Sequence, residues 1–469
     1  MRRPPTLTGD VIARSNPAYP AARQESNRHL SFFPRFIVFC ESDADVRTAI
    51  RWSQDHCLPF RVRCGRHSYQ EYSVLNGGMV IDISRLNSVE LDARRGIARI
   101  GAGANLGHIY DELWNQGRVT IPGGGCTGVG ISGLTLGGGF GLLTRLWGLT
   151  CDSMLQLEMV DANAHMATAS AEENRDLFWA SKGGGGGNFG LVTAFTFAVQ
   201  PIDYVTVFSV TWKWSDIRRV FAAWQRWADP ESLDRRLVPI LTLPAASAGT
   251  MGLIGEFVGP CAALDRLIQP MLAAAEPTDL MIKYETYIEA VHRFTGSAPT
   301  SASPEQILET RRWAADTIGD PALDKFKNTS AFVFRPLPPE AVAIMIDQLR
   351  CSPSPNTLVQ FNLHGGAEAD IPNFATAYPW RRGVWYSLQY QSYWSDPAEG
   401  PALVRWVEGF RRRMLPWTRG AYVNYIDADI PNWPQEFYDG NLRRLLDVKH
   451  QIDPRNVFDF PQGLGRVRL

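Results

Sequence analysis

The amino-acid sequence predicts a mixed α+β fold, and three observations carry that reading. Amphipathic helical patterns alternate with short extended apolar runs. The alternation lacks the even βαβ rhythm of a doubly wound sheet. Near Pro201 the texture changes, and aromatic-rich strands such as "YVTVFSVTWKW" take over. At 469 residues the chain is long for one core, so two or three packed units are expected.

The elements follow in order. "SDADVRTAIRWSQDH" opens with capping residues and spaces Val46, Ala49 and Ile50 as a helix does. "LPFRVRCG" reads as a strand entering a loop, and "NGGMVIDIS" as a turn followed by a strand. "GIARIGAGANLGHIYDELWNQG" predicts strand, turn and helix. "QLEMVDANAHMATAS" predicts a hairpin, and "NFGLVTAFTFAV" another apolar strand. From Pro201 to about residue 415, strands alternate with amphipathic helices such as "IRRVFAAWQRWAD". "TGSAPTSASPEQ" and "RCSPSPNT" are Pro/Ser-rich and read as surface loops. The segment from 416 to 469 is punctuated by Asp, Asn and Pro around one short helix, and reads as a tail that packs back on an existing unit.

Bulk chemistry excludes several function classes. Formal net charge is −1, and no basic cluster resembles a nucleic-acid footprint. No apolar run approaches the roughly 18 residues needed to span a bilayer. "MRRPPTLTGD" lacks the apolar run of a secretory signal, which points to a cytoplasmic protein. The seven cysteines form no CxxC pair and read as reduced thiols. The eight histidines show no metal-ligand spacing, so no metal site is expected.

The chemistry concentrates in three glycine-bearing stretches. In "PGGGCTGVGISGLTLGGGFG", residues 122–141, half the residues are glycine and Cys126 is the one thiol. "GVGISG" matches G-x-G-x-x-G, but a dinucleotide fingerprint follows a buried strand and opens a helix. Here "PGGGCT" precedes it, and Gly137, Gly138 and Gly139 would cost the supposed helix roughly 3 kcal/mol. The reading preferred is an irregular loop that lays main-chain N–H groups against a ligand, with Cys126 facing it. "SKGGGGGNFG" at 181–190 and "RCGRHSY" at 63–69, which presents His67, are the other two. Each alone is a turn; together they suit a large, flat, phosphate-bearing cofactor.

These stretches resemble the berberine-bridge-enzyme-like flavoproteins of the vanillyl-alcohol-oxidase superfamily. The resemblance runs from "FPRFIVFCESDADVRTAI" through the glycine-rich motifs and "ATAYPWR" to "YVNYIDADI" and "NLRRLLDVKHQIDPRNVF", and is weakest from about 205 to 355. It implies a PCMH-type FAD-binding domain, residues 1–200 completed by 416–469. A substrate domain, 201–415, would hold an antiparallel sheet backed by helices.

By position, the resemblance implies that His67 holds the 8α-methyl of FAD and Cys126 bonds to C6, a bicovalent flavin. A doubly tethered ring needs less covering protein and becomes a stronger hydride acceptor. The alternatives for these two are a hydrogen-bonded histidine and a core cysteine. The cradle would include Arg63, Gly65, Arg66 and Ser68, and next Gly125, Thr127, Val129 and Gly130. Gly133, Gly137, Gly190 and Val192 complete it, with Tyr422 and Asn424 supporting. The family usually has glycine where this chain has Arg66. That cation either reaches the diphosphate or the reduced ring, or distorts the loop.

"YVNYIDAD" offers Tyr422, Tyr425, Asp427 and Asp429 for proton transfer. The resemblance points to Tyr425 as the base, activated by nearby cations or by the flavin; the bland reading is a tyrosine stacked in a core. Tyr378 stands where relatives often have phenylalanine, and Trp380 where they have histidine; a second proton carrier at Tyr378 is one expectation. Trp385, Tyr386, Tyr390, Tyr393 and Trp394 could floor a substrate groove, with about half of them in the core. Val129, small and three places after Cys126, implies oxygen access and an oxidase making hydrogen peroxide. The expected substrate is a hydroxyl-bearing small organic molecule, a secondary metabolite or glycoside. A sugar oxidase, a dehydrogenase and a non-catalytic binding relative are the alternatives.

Overall fold

The computed structural model describes residues 7–295 and 323–468. "TGSAPTSASPEQ" lies almost wholly outside them, whereas "RCSPSPNT" forms a surface turn.

The first sheet comprises β1 (Val11–Ala13), β2 (Phe36–Phe39), β3 (Phe60–Arg63) and β4 (Met79–Asp82), in the order β1-β2-β4-β3. β4 pairs in parallel with both β2 and β3. Parallel strands of one sheet need a crossover; the helix Asp43–Asp55 supplies it between β2 and β3, and β4 then fills the place between those two. Ser42 caps that helix, its hydroxyl accepting from the Asp45 N–H at 3.2 Å.

A second sheet is antiparallel, with β5 (Val89–Asp92) and β6 (Ile97–Gly101) at one side. The short β7 (Val119–Thr120) lies outside it. β8 (Met154–Val160) and β9 (Met166–Ser170) form the expected hairpin. β10 (Leu191–Ala198) runs between β6 and β8, giving β5-β6-β10-β8-β9. β11 (Gln200–Pro201) pairs with β7. The two sheets share one apolar core, to which the helix Leu106–Gly117 contributes Ile109 and Leu113.

The glycine-rich segment is not irregular throughout. A short helix, Ile131–Leu136, forms inside it and stops at Gly137. The glycine run that argued against a helix therefore ends one. Gly138 turns with φ 113°, a conformation side chains disfavour.

A seven-stranded antiparallel sheet holds β12 (Tyr204–Lys213), β13 (Leu237–Pro244), β14 (Thr250–Phe257) and β15 (Asp279–Thr286). β16 (Lys325–Val333), β17 (Thr357–Leu363) and β18 (Tyr386–Trp394) complete it, in the order β15-β12-β14-β13-β17-β18-β16. Four helices back one face: Ile217–Trp227, Cys261–Leu272, Pro339–Arg350 and Gly400–Met414. Period-2 alternation sends Phe208, Leu241, Phe361 and Leu388 into that core. Their neighbours along each strand face the other way.

The C-terminal segment carries two helices, Trp433–Tyr438 and Leu442–Ile452, rather than one. It is tied to the first two sheets by buried polar contacts. Lys449 donates to the Asn188 carbonyl at 2.7 Å, and the Tyr438 hydroxyl donates to the Gly184 carbonyl at 3.0 Å.

Candidate active site

The uncovered face of the large sheet looks across a cavity of about 680 Å³ at the glycine-bearing loops. The loop that leaves β3 brings Gly65, Arg66, His67 and Ser68 to the wall. It can do so because it lies directly on the second glycine-rich stretch. A Cβ on Gly65 would fall 2.2 Å from the Gly130 nitrogen, so the two backbones touch. Gly125 and Gly133, by contrast, have open space where a Cβ would be. Gly186 also faces the cavity, its nearest neighbour 3.8 Å away. Backbone packed on one side and bare on the other leaves room for a broad planar group, which fits FAD.

Cys126 and Val129 reach the same cavity from the 122–141 stretch, as do Gly190 and Val192 from the turn into β10. Burial pushes the His67 imidazole down to about 3, so at neutral pH the ring is uncharged.

The motif around Tyr425 closes the cavity. Tyr425 stacks on Tyr69 and meets Phe140 and Tyr422 edge-on. The Tyr422 hydroxyl accepts from the Gly139 N–H at 2.9 Å and from Asn424 Nδ2 at 2.8 Å. Asn424 also donates to the Leu134 carbonyl at 3.0 Å, so this pair holds the helix Ile131–Leu136 and its turn in place. Burial pushes the Tyr425 phenol well up, and the neighbouring Tyr69, Tyr422 and Cys126 push the same way. The expected activating cation is absent among the described residues near it. Asp427 and Asp429 do not face substrate as free bases: both bind the buried Lys327, Asp427 at 2.5 Å.

Four expected site residues lie off the cavity wall. Arg63 is buried, and its guanidinium is occupied by Asp82 at 2.6 Å, Glu25 at 3.0 Å and the Ala22 carbonyl at 2.8 Å. Thr127 is buried with its carbonyl on the Gly107 N–H. Gly137 is covered by the Asn424 amide, which a Cβ there would meet at 2.0 Å. Tyr378 packs behind the site, edge-on to Tyr422 and against Gly138 and Gly183. Its hydroxyl is buried without a partner among the described residues, and the side chain does not reach the cavity wall.

The aromatic floor is also corrected. Tyr386 and Tyr390 enter the helix-backed core, Tyr393 packs with Tyr69 and Phe326, and neither Trp385 nor Trp394 reaches the cavity. What faces the cavity from β18 is Gln389 and Gln391. Register extends Gln389 into a row: it pairs with Gln360, which pairs with Thr242, then Gly252, then Thr211. All five line the cavity, and Asn362 lies in the next row. Gln389 also donates to the Tyr69 hydroxyl at 3.0 Å. The signal was present in "YSLQYQSYW", where polar and aromatic residues alternate, but the polar set was not singled out.

Comparisons with known proteins agree with this geometry. Residues 34–170 match the family model described as FAD binding domain, and residues 421–465 the one described as berberine and berberine like. An uncharacterized FAD-linked oxidoreductase of Bacillus subtilis, YgaK, is 39% identical over 98% of both chains. Monolignol oxidoreductase AtBBE-like 13 of Arabidopsis thaliana is 29% identical over 92% of this chain and 84% of its own. The solved structure of Physcomitrella patens BBE-like 1 superposes with a TM-score of 0.88, at 28% identity over 98% of both chains. Fold, cavity and relatives together define an FAD-linked oxidoreductase acting on a small molecule. The chain belongs to the berberine-bridge-enzyme-like family.

No helix among the described residues is long and apolar enough to cross a membrane.

Proposed function

We propose that the protein is an FAD-dependent oxidase with a bicovalent flavin, tethered at His67 and Cys126, that oxidises a hydroxyl-bearing carbon. One observation carries the reading. His67, Cys126 and Tyr425 line a single cavity whose opposite wall is a row of uncharged hydrogen-bonding side chains. Residues 1–200 with 416–469 then serve the cofactor, and residues 201–415 the substrate.

When bound, the flavin accepts the hydride and passes the electrons on. The chain does the rest. The Gln389–Gln360–Thr242 row orients the substrate through neutral donors and acceptors. Tyr69 and Phe140 pack against the Tyr425 ring and hold it at the cavity wall. Because burial favours the neutral phenol, Tyr425 accepts the substrate's proton only after its own has left. The rate of reduction therefore climbs with pH. Val129 supports O2 as the final acceptor, with hydrogen peroxide as product: it leaves more room than a longer side chain at that point of the wall.

The test is a visible spectrum before and after acid precipitation, then anaerobic reduction by substrate followed by air. Colour in the pellet and rapid bleaching and recovery support the reading. Colour in the supernatant removes the tethers, and slow recovery in air makes the enzyme a dehydrogenase. A protein isolated without flavin would instead be the non-catalytic relative.

A second reading for the substrate is a sugar or oligosaccharide. The amide-rich sheet face favours it, since clustered hydroxyls need many neutral partners and no charge. A relative named xylooligosaccharide oxidase, from Thermothelomyces thermophilus, is 28% identical over 97% of this chain. Bleaching by xylo- or cello-oligosaccharides but not by aromatic alcohols decides between the two.

A further inference from the structure

The cavity face of the large sheet has two halves of different chemistry. β17 and β18 present amides, Gln360 and Asn362 from one and Gln389 and Gln391 from the other. β13 and β14 present Ile240, Pro244 and Ile254, with Thr242 and Gly252 opposite each other in the adjoining row. Register makes the boundary sharp. Asn362 pairs with Ile240 and Ile240 with Ile254, so that row turns from polar to apolar in one step between β17 and β13. No charged side chain of this sheet lines the cavity among the described residues.

The two isoleucines are cavity residues and not core residues. Ile240 and Ile254 are half-buried, whereas their strand neighbours Leu241 and Leu253 are fully buried against the backing helices. Alternation along the strand sends the leucines to the helices and the isoleucines to the cavity. Apolar surface left facing an open cavity is unfavourable until a ligand covers it. Gly252 adds depth beside them, since a Cβ there would meet nothing nearer than the Val210 carbonyl, at 3.8 Å.

The amide half lies beside Tyr425. Gln389 donates to the Tyr69 hydroxyl at 3.0 Å, and Tyr69 stacks on Tyr425. Paired strands stand about 4.8 Å apart, so Ile240 is about 10 Å and Ile254 about 14 Å across the sheet from β18. A molecule whose hydroxyl-bearing end reaches Tyr425 therefore carries its other end over the isoleucines. We propose that the substrate is a glycoside with an apolar aglycone. The amides of β17 and β18 hold the sugar hydroxyls, and the aglycone lies over Ile240, Gly252 and Ile254. An oligosaccharide crossing the boundary would set hydroxyls against isoleucine without hydrogen-bond partners. A simple aromatic alcohol would leave the amides unused. The inference rests on the oxidase reading of this cavity and names its substrate class.

The test uses the holoenzyme and the methyl, hexyl and octyl glycosides of glucose, galactose and xylose, each below its micelle concentration. Binding is read by calorimetry on the dithionite-reduced protein, which cannot turn the ligand over. Bleaching is read separately on the oxidised protein without oxygen. For at least one sugar, affinity should tighten by about 10- to 100-fold from methyl to octyl. In the double variant Ile240→Thr, Ile254→Thr that ratio should fall to about threefold or less. Threonine keeps the β-branched shape that strands favour, and an unchanged flavin spectrum and melting temperature show that the variant is folded. Equal affinity for methyl and octyl glycosides in the unaltered protein overturns the proposal without recourse to any variant. So does a ratio that survives the double variant, or a protein that binds none of the series. Failure of the oxidase reading looks different: the octyl glycoside binds with the full gain yet leaves the oxidised flavin unbleached.

Discussion

Tyr69 and Tyr425 lie face to face, their ring centroids 5.3 Å apart and their planes within 5°. One comes from the loop that carries His67, the other from the C-terminal segment, 356 positions later in "YVNYIDAD" by their numbers. The stack holds Tyr425 from one side while Phe140 and Tyr422 meet it edge-on. Tyr425→Phe keeps every ring contact and removes only the hydroxyl. A yellow, folded protein reduced about 10²–10⁴-fold more slowly by substrate is the expected outcome in stopped flow. Near-normal reduction would remove the base from the mechanism.

The two proposed tethers, at His67 and Cys126, separate by variant. Cys126→Ala should leave the flavin in the acid pellet through His67, with a shifted visible spectrum. His67→Ala should leave it there through Cys126. Colour released to the supernatant by either single change would show that one residue makes the only bond.

Gln389 links the sheet to the stack through its 3.0 Å bond to the Tyr69 hydroxyl. Gln389→Leu fills the same space, removes a cavity donor and leaves the Tyr69 oxygen without it. KM should rise by about tenfold or more, with the flavin spectrum unchanged. A fall in the limiting reduction rate at constant KM would instead tie Gln389 to Tyr425 and not to substrate.

Tyr378→Phe tests the correction made at that position. Its hydroxyl is buried without a partner among the described residues, so removing it should leave turnover within about twofold and raise stability by up to about 1 kcal/mol. A large loss of rate would return Tyr378 to the proton path.

Glu256 gives a pH-dependent stability. Burial raises its carboxyl from about 4.5 to about 8, and one oxygen has no partner among the described residues. The folded state therefore holds a proton that the unfolded state has released. Stability is highest below about pH 4.5 as far as this group is concerned, and falls as pH rises towards 8. Glu256→Gln should flatten that slope and stabilise the protein at pH 8 by on the order of a few kcal/mol. Parallel melting curves for both proteins between pH 5 and pH 8, at roughly those two limits, would exclude the effect.

Local pattern carried much of the fold. Helical spacing with a Ser42 cap marked the helix Asp43–Asp55, and the "QLEMVDANAHMATAS" hairpin formed with its turn at Asp161–His165. These depend on neighbours a few residues away. The glycine run was harder, because the same residues that weaken a helix interior also end one. Gly137–Gly139 stop Ile131–Leu136, so the preceding six residues are free to be helical.

The sequence by itself determined the cofactor class, the family, and the loops that carry His67, Cys126 and Tyr425. Those rest on motifs whose residues are close in the chain. Tertiary structure alone decided which charges and hydroxyls face the cavity. Arg63 turns inward because Glu25 and Asp82, from other elements, occupy its fork, and Arg66 shares Asp82 with it at 3.5 Å. The amide row across the large sheet likewise exists only through strand register. It joins Gln389, Gln360, Thr242 and Thr211, residues far apart in the chain that long-range backbone hydrogen bonds place side by side.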